Sequence, residues 1–324
     1  MFNEANDPLI QPDVIPLHAA APDPIVLAQP STVFDDRARR FDHFAARGDG
    51  QQVFFAFMAR LSRAQQVAAA AFVPGALPDA ATLATRHAHR MPILPAGLSE
   101  RDPSWVAALR AVLAASEGGP ALPPAVAAAR RNLQATSDDE LDRLGGALLA
   151  FEYASIPADV VPWIAAGLQV YWTVAVAALG RDAARTIDVG GVCPCCGSLP
   201  VASLRRIGGM QQGLRYLVCS LCATQWHLVR IKCSHCESTA GIGYLTLSTD
   251  PDSETGKAAA TREVVKAEVC DDCSSYLKLV SLEADHQADP VADDLATLAL
   301  DLLTDERGYV RIGPNLFIHP GVTA

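Results

Sequence analysis

All nine cysteines of this 324-residue chain lie between Cys193 and Cys273, and eight of them form four C-x-x-C pairs. The pairs are Cys193/Cys196, Cys219/Cys222, Cys233/Cys236 and Cys270/Cys273. A C-x-x-C in a tight turn sets two thiolates on one side of the backbone, close enough to share an ion. Two such turns supply the tetrahedral four-sulfur shell of Zn²⁺ or of a single Fe ion, with metal–sulfur bonds of roughly 2.3 Å. Twenty-two residues separate the first two pairs and thirty-three the last two. Taken in hairpin order, Cys193, Cys196, Cys219 and Cys222 make site one, and Cys233, Cys236, Cys270 and Cys273 make site two. The expectation is two metal ions per chain, each on four cysteines in a zinc-ribbon or rubredoxin-like hairpin pair. Ligand type does not separate zinc from iron.

Other uses of cysteine fit less well. A disulfide framework needs an oxidising compartment, and Met1–Asp7 shows neither a basic nor an apolar stretch of the kind that opens a secretory signal. The chain therefore reads as cytoplasmic, and an odd number of cysteines suits closed disulfide pairing poorly. A thioredoxin-like motif wants one C-x-x-C at a strand–helix junction, whereas these pairs sit among short strands and turns. Cys195 reads as a variable position inside the first turn, and His227 and His235 are not needed where eight paired thiolates already fill two shells.

A closed four-cysteine shell leaves no position for water or substrate, which speaks against hydrolytic metal catalysis. No G-x-S-x-G, phosphate-binding glycine loop or H-E-x-x-H is present, so the chain reads as non-enzymatic. The formal charge of −10 argues against general binding to nucleic acid or to an anionic membrane. Arg205, Arg206, Arg215, Arg230 and Lys232 read as a solvated face, as do the carboxylates of Asp293 and Asp294.

The two halves differ in character. Residues 1–187 hold fifteen Arg, no Lys and no Cys, while residues 188–324 hold all four Lys and every Cys. Prolines 8, 12, 16, 22, 24 and 30 make residues 1–33 an extended or disordered arm. Residues 34–187 carry helical periodicity, with helices expected over Ser104–Ala115, Pro124–Ala135 and Asp138–Ala150, the last opened by Ser137 and Glu140 at capping-box spacing. Val160–Gly180 has no charge over twenty-one residues, the length of a membrane span. Pro162, Gly167, Gln169 and Thr173 erode that character, and Tyr171 and Trp172 would sit mid-span, so a buried core helix is expected. In residues 188–324, strands are expected at Leu214–Val218, Trp226–Ile231, Ile242–Leu247, Glu263–Val269 and Tyr276–Leu282. One C-terminal helix capped by Asp289-Pro290 should follow, carrying Leu295, Leu298, Leu302 and Leu303. The fold class is α+β in two domains: an all-α helical domain, then tandem four-cysteine β modules with a C-terminal helix.

Cys193-Pro194-Cys195-Cys196-Gly197-Ser198-Leu199-Pro200, Gly213–Cys222 with Trp226-His227, and Lys232–Cys236 together resemble the formate dehydrogenase accessory protein FdhE family. Lys266–Cys273, Tyr276-Leu277-Lys278 and Asp289–Asp301 continue the likeness, which covers about residues 190–317. Cys195 departs from the family pattern. The resemblance implies a cytoplasmic, non-catalytic maturation factor or assembly chaperone, required for active formate dehydrogenase and contacting its catalytic subunit. It also implies iron in rubredoxin-type centres. Two other function classes compete with that reading. One is a zinc-ribbon nucleic-acid-associated protein; the other is an iron–tetrathiolate electron carrier.

Overall fold

A computed structural model describes residues 22–48, 50–97, 101–208, 213–229, 231–247 and 263–320. The first half is a helical bundle: α1 (Val33–Ala45), α2 (Gln52–Ala71), α3 (Ala80–Ala88), α4 (Ser104–Ala115), α5 (Pro124–Ala135), α6 (Asp138–Leu149) and α7 (Val161–Leu179). Phe34, Phe41 and Phe44 of α1 recur at helical spacing and are buried. Phe41 and Phe44 meet Phe55 of α2 at ring-centroid distances of 6.2 and 5.3 Å. The expected cap of α6 forms: the Glu140 N–H donates to Ser137 Oγ at 3.4 Å, and three carboxylates in the first turn complement the helix dipole.

The uncharged helix α7 is apolar on every side because every side is covered. Trp163, Ile164, Leu168, Val170, Tyr171, Trp172 and Val176 are all buried, against α2, α4 and α6. Gly167 permits the closest approach: a Cβ there would lie 2.6 Å from Leu109 Cβ and 2.8 Å from Leu109 Cα in α4. It is a core helix.

The second half is one sheet of eight strands: β1 (Ile25–Val26), β2 (Pro200–Arg205), β3 (Arg215–Cys219), β4 (Gln225–His227), β5 (Ile242–Leu245), β6 (Val265–Cys270), β7 (Ser275–Ser281) and β8 (Val310–Arg311). Their order is β1-β4-β3-β2-β7-β6-β5, with β8 beside β7. Two antiparallel ribbons, β2-β3-β4 and β5-β6-β7, have the same plan. They join where β2 and β7 run parallel, Ser203 opposite Leu279 and Arg205 opposite Ser281. Strand β1 comes from the proline-rich arm, of which residues 1–21 lie outside the described residues. Ile25 pairs with Trp226 and is buried, so the arm closes the edge of the sheet.

Four expectations are corrected. No strand was expected at Pro200–Arg205, yet β2 is the strand that joins the ribbons. All its side chains up to Leu204 are buried, so it lacks a period-two signal, and proline is tolerated at its first position. The single C-terminal helix is two, α8 (Pro290–Leu295) and α9 (Leu298–Asp305). Lys278 of β7 donates through Nζ to the carbonyls of Asp294 (2.9 Å) and Thr297 (3.0 Å), satisfying backbone acceptors where the helix breaks. Leu295 is buried, while Leu298, Leu302 and Leu303 are exposed.

Asp293 and Asp294 do not face solvent. Asp293 takes a bidentate contact from Arg40 at 2.8 and 2.6 Å, and Asp294 pairs with Lys278 at 3.1 Å and Arg311 at 2.7 Å. Arg215 likewise leaves the expected solvated face. It is buried, donates to Ser203 Oγ at 3.1 Å and to the Lys232 carbonyl at 2.8 Å, and pairs with Glu268 of the other ribbon. Arg230 lies outside the described residues.

Candidate metal centres

Each C-x-x-C is a knuckle at a ribbon turn. In the first, the Cys193 N–H donates to the Ser198 carbonyl at 2.9 Å and the Gly197 N–H to the Cys193 carbonyl at 2.8 Å. The third repeats this, with the Cys233 N–H to Ser238 at 2.8 Å and the Glu237 N–H to Cys233 at 3.2 Å. The second and fourth sit at the ends of β3 and β6, where Cys219 and Cys270 are the last strand residues. In all four, the residue after the second cysteine is left-handed: Gly197 at φ +78°, Ala223 at +55°, Glu237 at +64° and Ser274 at +50°. That turn reverses the chain and leaves both thiols on the same side. Backbone N–H groups of Leu221 and Cys222 point to Cys219 Sγ at 3.3 and 3.4 Å, and that of His235 to Cys233 Sγ at 3.4 Å.

The ribbons bring the knuckles together in the expected pairs. Cys193 Sγ lies 3.6 Å from Cys222 Sγ, and Cys196 Sγ 3.3 Å from Cys219 Sγ. In the second group, Cys233 to Cys273 is 3.8 Å and Cys236 to Cys270 is 3.7 Å. Within each group all four sulfurs lie within 4.8 Å of one another. A tetrahedron with roughly 2.3 Å bonds has sulfur–sulfur edges of about 3.8 Å, whereas a disulfide would need about 2.05 Å. Both groups therefore have the size and donor set of a four-thiolate ion site.

Electrostatics favours a cation at site one. Burial pushes the thiols of Cys193, Cys219 and Cys222 up. Cys196 bears the same burial penalty, but contacts from Cys193, Cys219 and Cys222 and the Ser198 backbone bring it below the ordinary thiol value. Four thiolates cannot share that space without a positive charge among them, which a divalent cation would supply.

Cys195 is fully buried beside site one but is not part of either tetrad. Its backbone does other work. The carbonyls of Cys195 and Cys196 accept from the N–H groups of Leu94 (2.8 Å) and Ala96 (2.9 Å), in the loop between α3 and α4. Trp172 of α7 holds that loop through its indole N–H to the Leu94 carbonyl at 3.1 Å, and Gln169 donates to the Ser220 carbonyl at 2.9 Å. The sequence offered no periodic or motif signal for these contacts, which tie the first half to site one.

Comparison with known proteins covers both halves. Family models described as "FdhE, N-terminal", "FdhE, central domain" and "FdhE, C-terminal domain" match residues 22–188, 192–230 and 231–318. The chain belongs to the FdhE family. A protein FdhE homolog of Pseudomonas aeruginosa is 40% identical over 317 residues, 97% of this chain and 98% of the relative. The protein FdhE of Salmonella newport is 34% identical over 305 residues, 92% of each. The crystal structure of the FdhE protein from Pseudomonas aeruginosa superposes with a TM-score of 0.81 at 36% identity, covering 92% of this chain and 100% of that one. The central model spans the first ribbon with site one and the C-terminal model the second with site two, a division inside the stretch that the sequence reading treats as one unit.

Proposed function

We propose that this chain is a non-catalytic maturation factor for formate dehydrogenase, acting in the cytoplasm and binding the enzyme's catalytic subunit. Cys193, Cys196, Cys219 and Cys222 hold one metal ion in it, and Cys233, Cys236, Cys270 and Cys273 hold a second. The observation that carries this reading is family membership along nearly the whole chain, with both cysteine tetrads assembled. Each tetrad can saturate a tetrahedral ion with protein sulfur, which suits a site that shapes a surface rather than one that activates water. Iron at these sites would supply a one-electron couple, whereas Zn²⁺ would supply shape alone. The residues themselves fix the two ribbons and hold the helical half against the first.

Deletion of the gene is expected to abolish formate oxidation while the catalytic polypeptide is still made, and the two proteins are expected to co-purify from cytoplasmic extract. Normal formate oxidation in the deletion strain, with no formate dehydrogenase subunit recovered on the tagged chain, overturns the reading.

A further inference from the structure

The two tetrads share a plan but not a setting. At site one, Cys193, Cys196, Cys219 and Cys222 are 0 to 1% exposed. The α3–α4 loop lies over it, bonded to the Cys195 and Cys196 carbonyls, and Pro92 sits where a Cβ on Gly197 would be only 3.2 Å from its ring. Gln169 of α7 holds the opposite knuckle through Ser220. No donor can reach these sulfurs unless the helical half lifts from the sheet.

At site two, Cys233 and Cys270 are buried, but Cys236 is exposed and Cys273 half-buried. The contacts of these knuckles stay within residues 188–324: Glu237 with Lys232 and the Gly190 N–H, Ser238 with Asp272, and Tyr309 with Asp271. Among the described residues, no hydrogen bond from α1–α7 or the loops between them reaches the knuckles of site two. One edge of this tetrad therefore faces water.

We infer that site two is where the folded protein takes up and gives up its ion, through Cys236, whereas the ion of site one is enclosed as the chain folds and stays there. This rests on the two-ion reading above. Exchange at such a shell is ligand substitution. Cys236 would be the first thiolate to give way: an incoming donor would take its place with no change of oxidation state, and the released Cys236 would take a proton from solvent. Cys273 and then the two buried cysteines would follow. At site one the same substitution must wait for an opening of the helical–sheet interface, and such openings are rare in proportion to the structure they disrupt.

The test uses the full chain loaded with zinc, mixed with an excess of isotopically enriched Zn²⁺ and followed by native mass spectrometry. Two ions per chain are expected, one exchanging about a hundredfold or more faster than the other. Brief treatment with iodoacetamide should modify Cys236 first, and Cys236→Ser should lose the fast ion while keeping the slow one. Two ions that exchange at one rate overturn the inference alone, as does a fast ion that survives in Cys236→Ser or first modification at a site-one cysteine. A wild-type chain carrying fewer than two ions overturns the two-ion reading itself, and the inference with it.

Discussion

Gly197, Ala223, Glu237 and Ser274 hold the same left-handed backbone in four different knuckles, and only one of them is glycine. For a residue with a Cβ that conformation costs roughly 1–2 kcal/mol. Gly197→Ala is therefore expected to lower stability by about that amount, and the 3.2 Å approach to Pro92 adds to the cost. Ala223→Gly and Ser274→Gly should raise stability, by a few tenths to about 1 kcal/mol once the greater freedom of glycine in the unfolded chain is subtracted. Urea unfolding of the metal-loaded protein measures both signs. The eight thiols were legible because a C-x-x-C is a local spacing that already places two sulfurs together. The turn that orients them was not, because Ala, Glu and Ser at three of the four positions carry no left-handed signal.

At the scale of elements, the ribbon hairpins were legible as short apolar runs between cysteine turns, the antiparallel β5 and β6 among them. The parallel join of β2 to β7 was not, since nothing local specifies a partner 76 residues away. Nor was the break between α8 and α9, which depends on Lys278 reaching from another strand. There, Asp294 is completely buried among Lys278, Arg311 and Asn315, whose Nδ2 donates to it at 3.0 Å. Burial alone would raise this carboxyl, but the charges of Arg311 and Lys278 and the Asn315 hydrogen bond hold it below its ordinary value. A carboxylate so depressed stabilises the fold above its unfolded pKa of about 3.9 and loses that contribution as pH falls through the folded value. Asp294→Asn should thus cost about 3–5 kcal/mol near neutral pH, because Lys278 and Arg311 are left short of a partner charge. Its stability should also fall less steeply than the wild type's below about pH 4. Asp293, which burial pushes up, has the opposite sign and is common to both chains. Unfolding midpoints across the acid range decide it; identical acid slopes would remove Asp294 from this role.

Across the whole molecule, the two halves are one packed body, and the residues that join them were not legible as partners. Arg40 reaches Asp285 and Asp293, about 250 positions away in the chain, and Arg37 reaches Asp289 at 3.4 Å. Site one belongs to that joint and site two does not, so loss of either ion should have different consequences. A four-cysteine ion contributes roughly 10–16 kcal/mol to the fold that holds it, comparable to the entire stability of an ordinary domain. Cys193→Ser should release the ion of site one and loosen the first ribbon. The Leu94 and Ala96 hydrogen bonds then lose their acceptors' fixed position, and the loop beside Arg90 and Arg101 becomes open to trypsin. Cys270→Ser should release the other ion and loosen the second ribbon while that loop stays protected, because its hydrogen bonds to the ribbons lie on the first knuckle. Limited trypsin digestion with mass mapping, alongside metal counts, separates the two. Equal protection of the α3–α4 loop in both variants would mean that site one does not fasten the helical half to the sheet.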